Sequence, residues 1–208
     1  MQLIQKYFPN ISPLQAQQFE QLPALYVDWN AKINVISRKD MEQFELHHAL
    51  HSLAIAKYVS FKDGTKIMDL GTGGGFPGIP LAIMFPNCRF HLVDSIGKKL
   101  KVVQAVAESI GLKNVFVFHS RAEEMNFQYD FVVSRAVAPV KDLLKWSNKK
   151  YLSKNLNSVP NGLICLKGGN LEEELNGIKV LQKIPLNNWF EESHYQEKFL
   201  LHIKGKEY

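Results

Sequence analysis

Residues 67–78 read Ile-Met-Asp-Leu-Gly-Thr-Gly-Gly-Gly-Phe-Pro-Gly. No other stretch limits the fold as strongly. A short apolar run ends in a glycine-rich turn, and a helical pattern follows. Gly71, Gly73 and Gly75 tolerate backbone angles closed to other residues and let a ligand approach the main chain. The free N–H groups of a helix start favour an anionic group there. Strand, turn and helix in that order open an α/β protein.

The rest of the chain agrees. Apolar runs at Lys66–Leu70, Arg89–Val93, Val115–Phe118, Phe131–Val133, Gly162–Lys167, Val180–Ile184 and Lys198–Ile203 predict seven strands. Helical patterns fall between them at Pro80–Phe85, Lys98–Ile110 (closed by Gly111), Val140–Leu152 and Leu171–Asn176. The alternation predicts a mostly parallel sheet covered on both faces. The last two strands have little helix between them, which predicts an antiparallel hairpin at the sheet edge. Residues 1–63 read as a helical extension. Ser12-Pro13 is an N-cap and first helical residue, and Leu14, Phe19, Leu22, Leu25, Tyr26 and Trp29 follow at helical spacing. Pro23 predicts a kink or break in that run. A second helix is expected over Asp40–Tyr58, and Phe61–Gly64 reads as a turn before the sheet domain, 64–208.

Glycine turns serve both dinucleotides and S-adenosylmethionine. The dinucleotide fingerprint is Gly-x-Gly-x-x-Gly. Counted from Gly71, its sixth position is Phe76, which crowds the approach of a pyrophosphate. The spacing present is Asp69-x-Gly71-x-Gly73-x-Gly75. A carboxylate before the first glycine is unwelcome beside pyrophosphate and acceptable near the ammonium of a methionine moiety. The second strand ends in Val93-Asp94, where a carboxylate accepts from ribose hydroxyls. A tight turn plus an unrelated surface aspartate is the plainer alternative. The common register of Asp69, the glycines and Asp94 favours S-adenosylmethionine, on a Rossmann-like methyltransferase fold.

Asp69–Leu81 and Leu92–Lys99 together resemble the bacterial small-subunit ribosomal RNA methyltransferase G family (GidB or RsmG). Ser120–Glu124, Val133–Ala136, Leu166–Gly168 and Trp29-Asn30-x-Lys32-Ile33-Asn34 are similar to that family as well. The resemblance implies S-adenosylmethionine-dependent methylation of a guanine N7 in 16S rRNA of the small ribosomal subunit, near the decoding centre. It implies cofactor contacts at Asp69, Gly71, Gly73, Gly75, Phe76, Asp94 and Ser95, with Ala122 and Glu123 around the adenine. One stretch departs from the family. Its Arg-His-x-x-Asp-Ser is His47-His48-Ala49-Leu50-His51-Ser52 here, so the charges of the first and fifth positions are absent.

The chemistry is compatible with N7. That atom has a lone pair and no proton, so placement in line with the methyl group does the main work. The Asn/Asp-Pro-Pro-Tyr/Phe signature of amine methylation is replaced by Ser134-Arg135-Ala136-Val137. Neither Cys88 nor Cys165 is placed as a nucleophile for pyrimidine C5. Arg135, just past a strand end, is expected at the acceptor mouth and beside the cofactor, pairing with guanine O6 or phosphate. A structural ion pair is its alternative role.

Charge bears on the partner. Twenty-five Lys and Arg against 20 Asp and Glu give +5, and the excess lies entirely in 64–208. Lys98, Lys99 and Lys101 open one helix, and Lys141, Lys145 and Lys149 recur every fourth residue, with Lys150 and Lys154 beyond. Such a stripe suits phosphates or is simply a solvated face. Lys98, Arg121, Lys141, Lys145 and Lys167 are the candidate RNA contacts. His47 and His51 are four apart with no acidic or cysteine partner, so no metal is expected. There is no apolar run of bilayer length and no leader pattern. Two isolated cysteines suit a reducing cytoplasm. A monomer with no membrane partner is expected. A small-molecule methyltransferase, or an assembly factor with a vestigial pocket, are the rival readings.

Overall fold

The computed structural model describes residues 1–205, apart from the side chain of Arg38. The N-terminal region holds α1 (Gln2–Tyr7), α2 (Pro13–Asn30), α3 (Arg38–Glu42) and a π-helical turn (Glu45–Leu50) that runs into α4 (His51–Tyr58). The sheet region follows as β1 (Lys66–Leu70), α5 (Gly78–Met84), β2 (Arg89–Asp94), α6 (Gly97–Ser109), β3 (Val115–His119), β4 (Phe131–Arg135), α7 (Val140–Trp146), β5 (Gly162–Gly168), α8 (Glu172–Leu175), β6 (Gln182–Pro185) and β7 (Lys198–Lys204).

The seven strands form one sheet in the order β3-β2-β1-β4-β5-β7-β6. The first five are parallel, and β7 runs antiparallel between β5 and β6. The expected closing hairpin is therefore present, with its second strand inserted against β5. Strand order reverses between β1 and β4. The carboxyl ends of those strands diverge into a crevice, the usual ligand position in open α/β sheets.

Side chains alternate between the faces, as the pleat requires. Ile67, Phe131, Val133, Ile164 and Leu166 face one apolar core; Met68, Leu70, Val132, Leu163 and Cys165 face the other. The N-terminal helices belong to the first core, through Phe19, Leu22, Tyr26, Leu50, Leu53 and Ile55. Gln15 and Gln18 add side-chain bonds to the carbonyls of Ile83 and Ile110 at 2.9 Å each.

Three sequence expectations are corrected. Ser12 and Gln15 form a reciprocal capping box, but α2 runs through Pro23 unbroken. A mid-helix proline costs about 3 kcal/mol, and the buried Phe19, Leu22 and Tyr26 offset it. The second expected helix is split: α3 ends at Glu42, and the chain between Glu45 and Leu50 then widens to a π turn that leads into α4. The third is the helix expected over Val140–Leu152, which stops at Trp146. The Ser147 hydroxyl donates back to the Leu143 carbonyl at 2.7 Å, and Lys149 takes a left-handed φ of 61°. The chain then pairs Tyr151 with Tyr129. Among the described residues no helix is long and apolar enough to cross a membrane.

Candidate active site

The crevice at the strand tips has a volume of about 430 Å³. Its floor is the loop after β1. Asp69, wholly buried, shapes that loop from beneath: Oδ2 accepts from the Thr72 hydroxyl at 2.6 Å and from the Gly78 N–H at 2.8 Å. Burial pushes its pKa up to about 7, and Oδ1 has no partner among the described residues. Gly71 has φ 69°, and a Cβ there would lie 2.7 Å from the Val137 side chain. Gly75, at φ 100°, would drive a Cβ to 2.7 Å from Ile79. Both positions exclude any side chain.

Asp94, at the tip of β2, joins two walls. Its Oδ2 accepts from the Gly73 N–H and its Oδ1 from the Ile96 N–H, each at 2.8 Å. A carboxylate has about four acceptor positions, so capacity remains for hydroxyl donors. The third wall is the 3-10 turn Ala122–Glu124. It is held from behind by Lys150, whose ammonium donates to the Glu123 carbonyl at 2.9 Å and to the Met125 carbonyl.

The fourth wall comes from the N-terminal layer. Asn30 accepts from the N–H groups of Val35 and Ile36 (2.8 and 3.0 Å) and donates to the Ile36 carbonyl at 2.6 Å. This clamp sets Val35 against Gly74 on the crevice wall. The Tyr26 hydroxyl donates to the Gly74 carbonyl at 2.5 Å. Phe76 is buried and packs between Tyr26 and His48, with ring centroids 5.0 Å away in each case.

Arg135 lies over Phe76, its guanidinium carbon 5.0 Å from the ring centre. One terminal nitrogen donates to the His47 carbonyl and the other to His48 Nδ1, both at 2.9 Å. His48 must therefore be neutral with its proton on Nε2. Burial holds its pKa down at about 3. Burial also lowers that of Arg135 to about 10, which leaves it charged at neutral pH. Around this pin the His47 and His194 rings stack at 4.0 Å, and His51 meets His194 edge-on at 6.0 Å.

Against this geometry the comparisons are decisive. The family model described as rRNA small subunit methyltransferase G matches residues 15–204. The chain belongs to that family. Curated relatives named ribosomal RNA small subunit methyltransferase G agree. One from Bacteroides thetaiotaomicron is 58% identical, covering 95% of this chain and 97% of its own. One from Christiangramia forsetii is 50% identical, covering 99% and 98%. Among solved structures, a SAM-dependent methyltransferase from Aquifex aeolicus superimposes with a TM-score of 0.55 at 16% identity, over 81% of this chain and 98% of that one. A mutant of MtNAS in complex with S-adenosylmethionine gives 0.58 at 12% identity, over 93% and 77%. These two likenesses concern the fold, a Rossmann-like α/β sheet.

Within this family member, Gly71, Gly73, Phe76, Asp94, Ser95, Arg121, Ala122, Glu123 and Arg135 all line the crevice. Asp69 and Gly75 stand behind it. Both were expected among the cofactor contacts, and in the structure they shape the loop. Arg135 reaches the crevice with both terminal nitrogens donating to the π-helical turn. The basic stripe dissolves in part. Lys141 and Lys145 are exposed on α7, and Lys98 on α6. Lys149 lies beyond the helix, and Lys150 points inward. Lys167, 10% exposed, is spent on Glu174 at 2.6 Å and on the Ala138 carbonyl. Sequence reading missed Val35, Thr72, Gly74, Ala136, Val137 and Trp146, all on the lining. Thr72 and Gly74 have a signal in their place inside the glycine loop, and Ala136 and Val137 in the stretch that follows Arg135. Among the described residues no cluster suits a metal.

Proposed function

We propose that this chain transfers the methyl group of S-adenosylmethionine to N7 of a guanine in 16S rRNA, in the small ribosomal subunit or one of its assembly intermediates. The observation that carries the reading is Asp94. It is anchored to the glycine loop and to the start of α6 in a family member, and has acceptor capacity left for ribose hydroxyls. The side-chain-free floor at Gly71 and Gly73 suits close approach of a cofactor to the main chain. Gly71, Gly73, Phe76, Asp94, Ser95, Ala122 and Glu123 are the residues we assign to hold it. Asp69 and Gly75 keep the loop in shape.

S-adenosylmethionine, when bound, supplies a methyl group on a positively charged sulfur, and a guanine N7 accepts it without losing a proton. The protein therefore needs no general base, and orientation is its main contribution. Arg135 fixes the N-terminal layer against the tip of β4. Lys98, Arg121, Lys141 and Lys145, all exposed, are assigned to rRNA phosphates. We read residues 1–63 as a helical extension and 64–208 as the methyltransferase domain, acting as a monomer in the cytoplasm.

The test is transfer of labelled methyl from S-adenosylmethionine to small subunits purified from cells lacking this protein, with nucleosides identified by mass spectrometry. Label in 7-methylguanosine of 16S rRNA is expected. A protein that binds the cofactor and labels no RNA would be a small-molecule methyltransferase or an assembly factor instead.

A further inference from the structure

A second cavity, also about 430 Å³, opens beside the cofactor crevice. Its walls carry His51, Ala138, Lys167, Glu174 and Lys198. Ala136 and Val137, the residues that leave β4, line both cavities, so the two adjoin there. Ala136 turns the chain there with a left-handed φ of 52°.

The polar groups of this cavity differ sharply in how far they are already used. Glu174 Oε1 is fixed twice, by the Val140 N–H at 2.7 Å and by the Lys167 ammonium at 2.6 Å. No donor among the described residues reaches Oε2. The Glu174 side chain lines the cavity and is 24% exposed. Lys198 is half-buried and forms no ion pair among the described residues. The Nε2 of His51 is buried without a partner among the described residues. The cavity thus offers an oriented anionic acceptor, a free ammonium and a neutral imidazole, since burial keeps the His51 pKa well below its ordinary value. A bare phosphate would meet the Glu174 carboxylate. A guanine presents the complementary set: N1–H and an amino group as donors, then O6 as acceptor.

We propose that this second cavity receives the target guanine, with Glu174 Oε2 accepting from N1–H and the amino group beside it, and Lys198 donating to O6. N7 lies on the edge of the purine away from N1 and the amino group. With the Watson–Crick edge held at Glu174, N7 is directed to the Ala136–Val137 junction and, past it, to the cofactor crevice. The site makes Glu174 the residue that selects guanine. Its fixed Oε1 keeps Oε2 in one orientation. The inference rests on the reading of the chain as an N7 methyltransferase and deepens it.

The experiment measures methyl transfer to small subunits together with cofactor affinity by calorimetry and the thermal midpoint, for the wild type, Glu174→Gln and Ala138→Leu. Glu174→Gln is expected to lower kcat/KM about 10- to 100-fold, the scale of one good base contact, with cofactor affinity within threefold. Ala138→Leu narrows the cavity but leaves the backbone carbonyl that holds Lys167. It is expected to raise KM for subunits about tenfold with the same cofactor affinity. If Glu174→Gln unfolds, Ala138→Leu alone decides. Transfer unchanged in both variants overturns the site, as does a loss in Glu174→Gln matched by an equal loss of cofactor binding. Faster transfer in Glu174→Gln overturns it as well, and marks the cavity as a phosphate seat. Failure of the wild type to label any RNA is a different result, and it removes the N7 reading along with this inference.

Discussion

The loop after β1 and the segment after β4 both leave strand tips at the same crevice, yet they hold it together by different means. The first loop, 71–77, is fixed by backbone geometry. Left-handed angles and close contacts at Gly71 and Gly75 favour glycine there, Asp94 accepts from the Gly73 N–H, and Asp69 accepts from the Thr72 hydroxyl and from the Gly78 N–H just beyond. The second segment, 135–151, is fixed by side chains whose type does not dictate their use. Arg135 and Lys150 are cations that a chain reading +5 might offer to RNA. In the structure both donate to backbone carbonyls. Backbone constraints can be read from residue identity. The destination of a long cationic side chain depends on which carbonyls the fold leaves without donors.

Substitutions can break or sharpen this contrast. The largest effect is expected in the first loop. Gly71→Val places a β-branched residue at φ 69°, against Val137. Cofactor affinity and methyl transfer should both fall at least about 100-fold, the scale of a lost aligned site. Binding by calorimetry within threefold of wild type would mean that the loop is far softer than its contacts indicate.

Arg135→Ala comes next. It removes two charge-assisted hydrogen bonds and leaves the His48 Nδ1 and the His47 carbonyl without this donor. A loss of about 2–4 kcal/mol in urea unfolding is expected, together with reduced transfer. Arg135→Lys should recover only part of it, since an ammonium lacks the two-pronged geometry. Transfer lost at full stability would instead return Arg135 to the acceptor.

A paired test separates the inward lysine from the outward ones. Lys150→Met should weaken cofactor binding about fivefold by freeing the 122–125 turn, and leave the salt dependence of subunit binding unchanged. Lys141→Ala with Lys145→Ala should do the reverse. The slope of log affinity against log salt should fall by about 1–2 with cofactor affinity intact. If both variants change the salt slope alike, Lys150 is also an RNA contact.

The smallest effect is spread over pH. Burial depresses the pKa of five imidazoles, to about 3 for His48, to about 4 for His91 and His194, and downward for His51 and His202. Unfolded histidines take up protons near pH 6.5 that the folded chain refuses. Their stabilisation is thus complete above that pH and is lost as pH falls toward 4. Asp69, held up near 7, acts in the opposite sense as one group against five. The thermal midpoint should decline from pH 6.5 to 4.5, and less steeply in His51→Gln. A flat profile would show that the imidazoles are wetter than their packing indicates.

These contrasts explain what was legible. The seven strands follow from alternation, because Ile67, Phe131 and Ile164 take one face while Met68, Val132 and Leu163 take the other. The glycine loop and Asp94 were legible because their roles are set by covalent geometry and spacing. The π turn at 45–50 was not, since His47-His48-Ala49 suits an α-helix equally well. The early end of α7 was hidden for a similar reason. Lys149 and Lys150 are good helix formers, and only the pairing of Tyr151 with Tyr129 diverts them. Val35 and Trp146 carry no chemical signature, and reach the crevice only through the packing of distant segments.

The bond from Tyr26 to the Gly74 carbonyl, with Val35 seated on the same glycine, has a consequence for how such a chain is inherited. The nucleotide-fold motif and the helices that precede it share a wall. A recombination crossover near residue 63 would join halves whose contact surfaces had drifted apart. Exchange of the first 63 residues between distant relatives is therefore expected to give poor hybrids unless positions 26, 35 and 74 travel as a set.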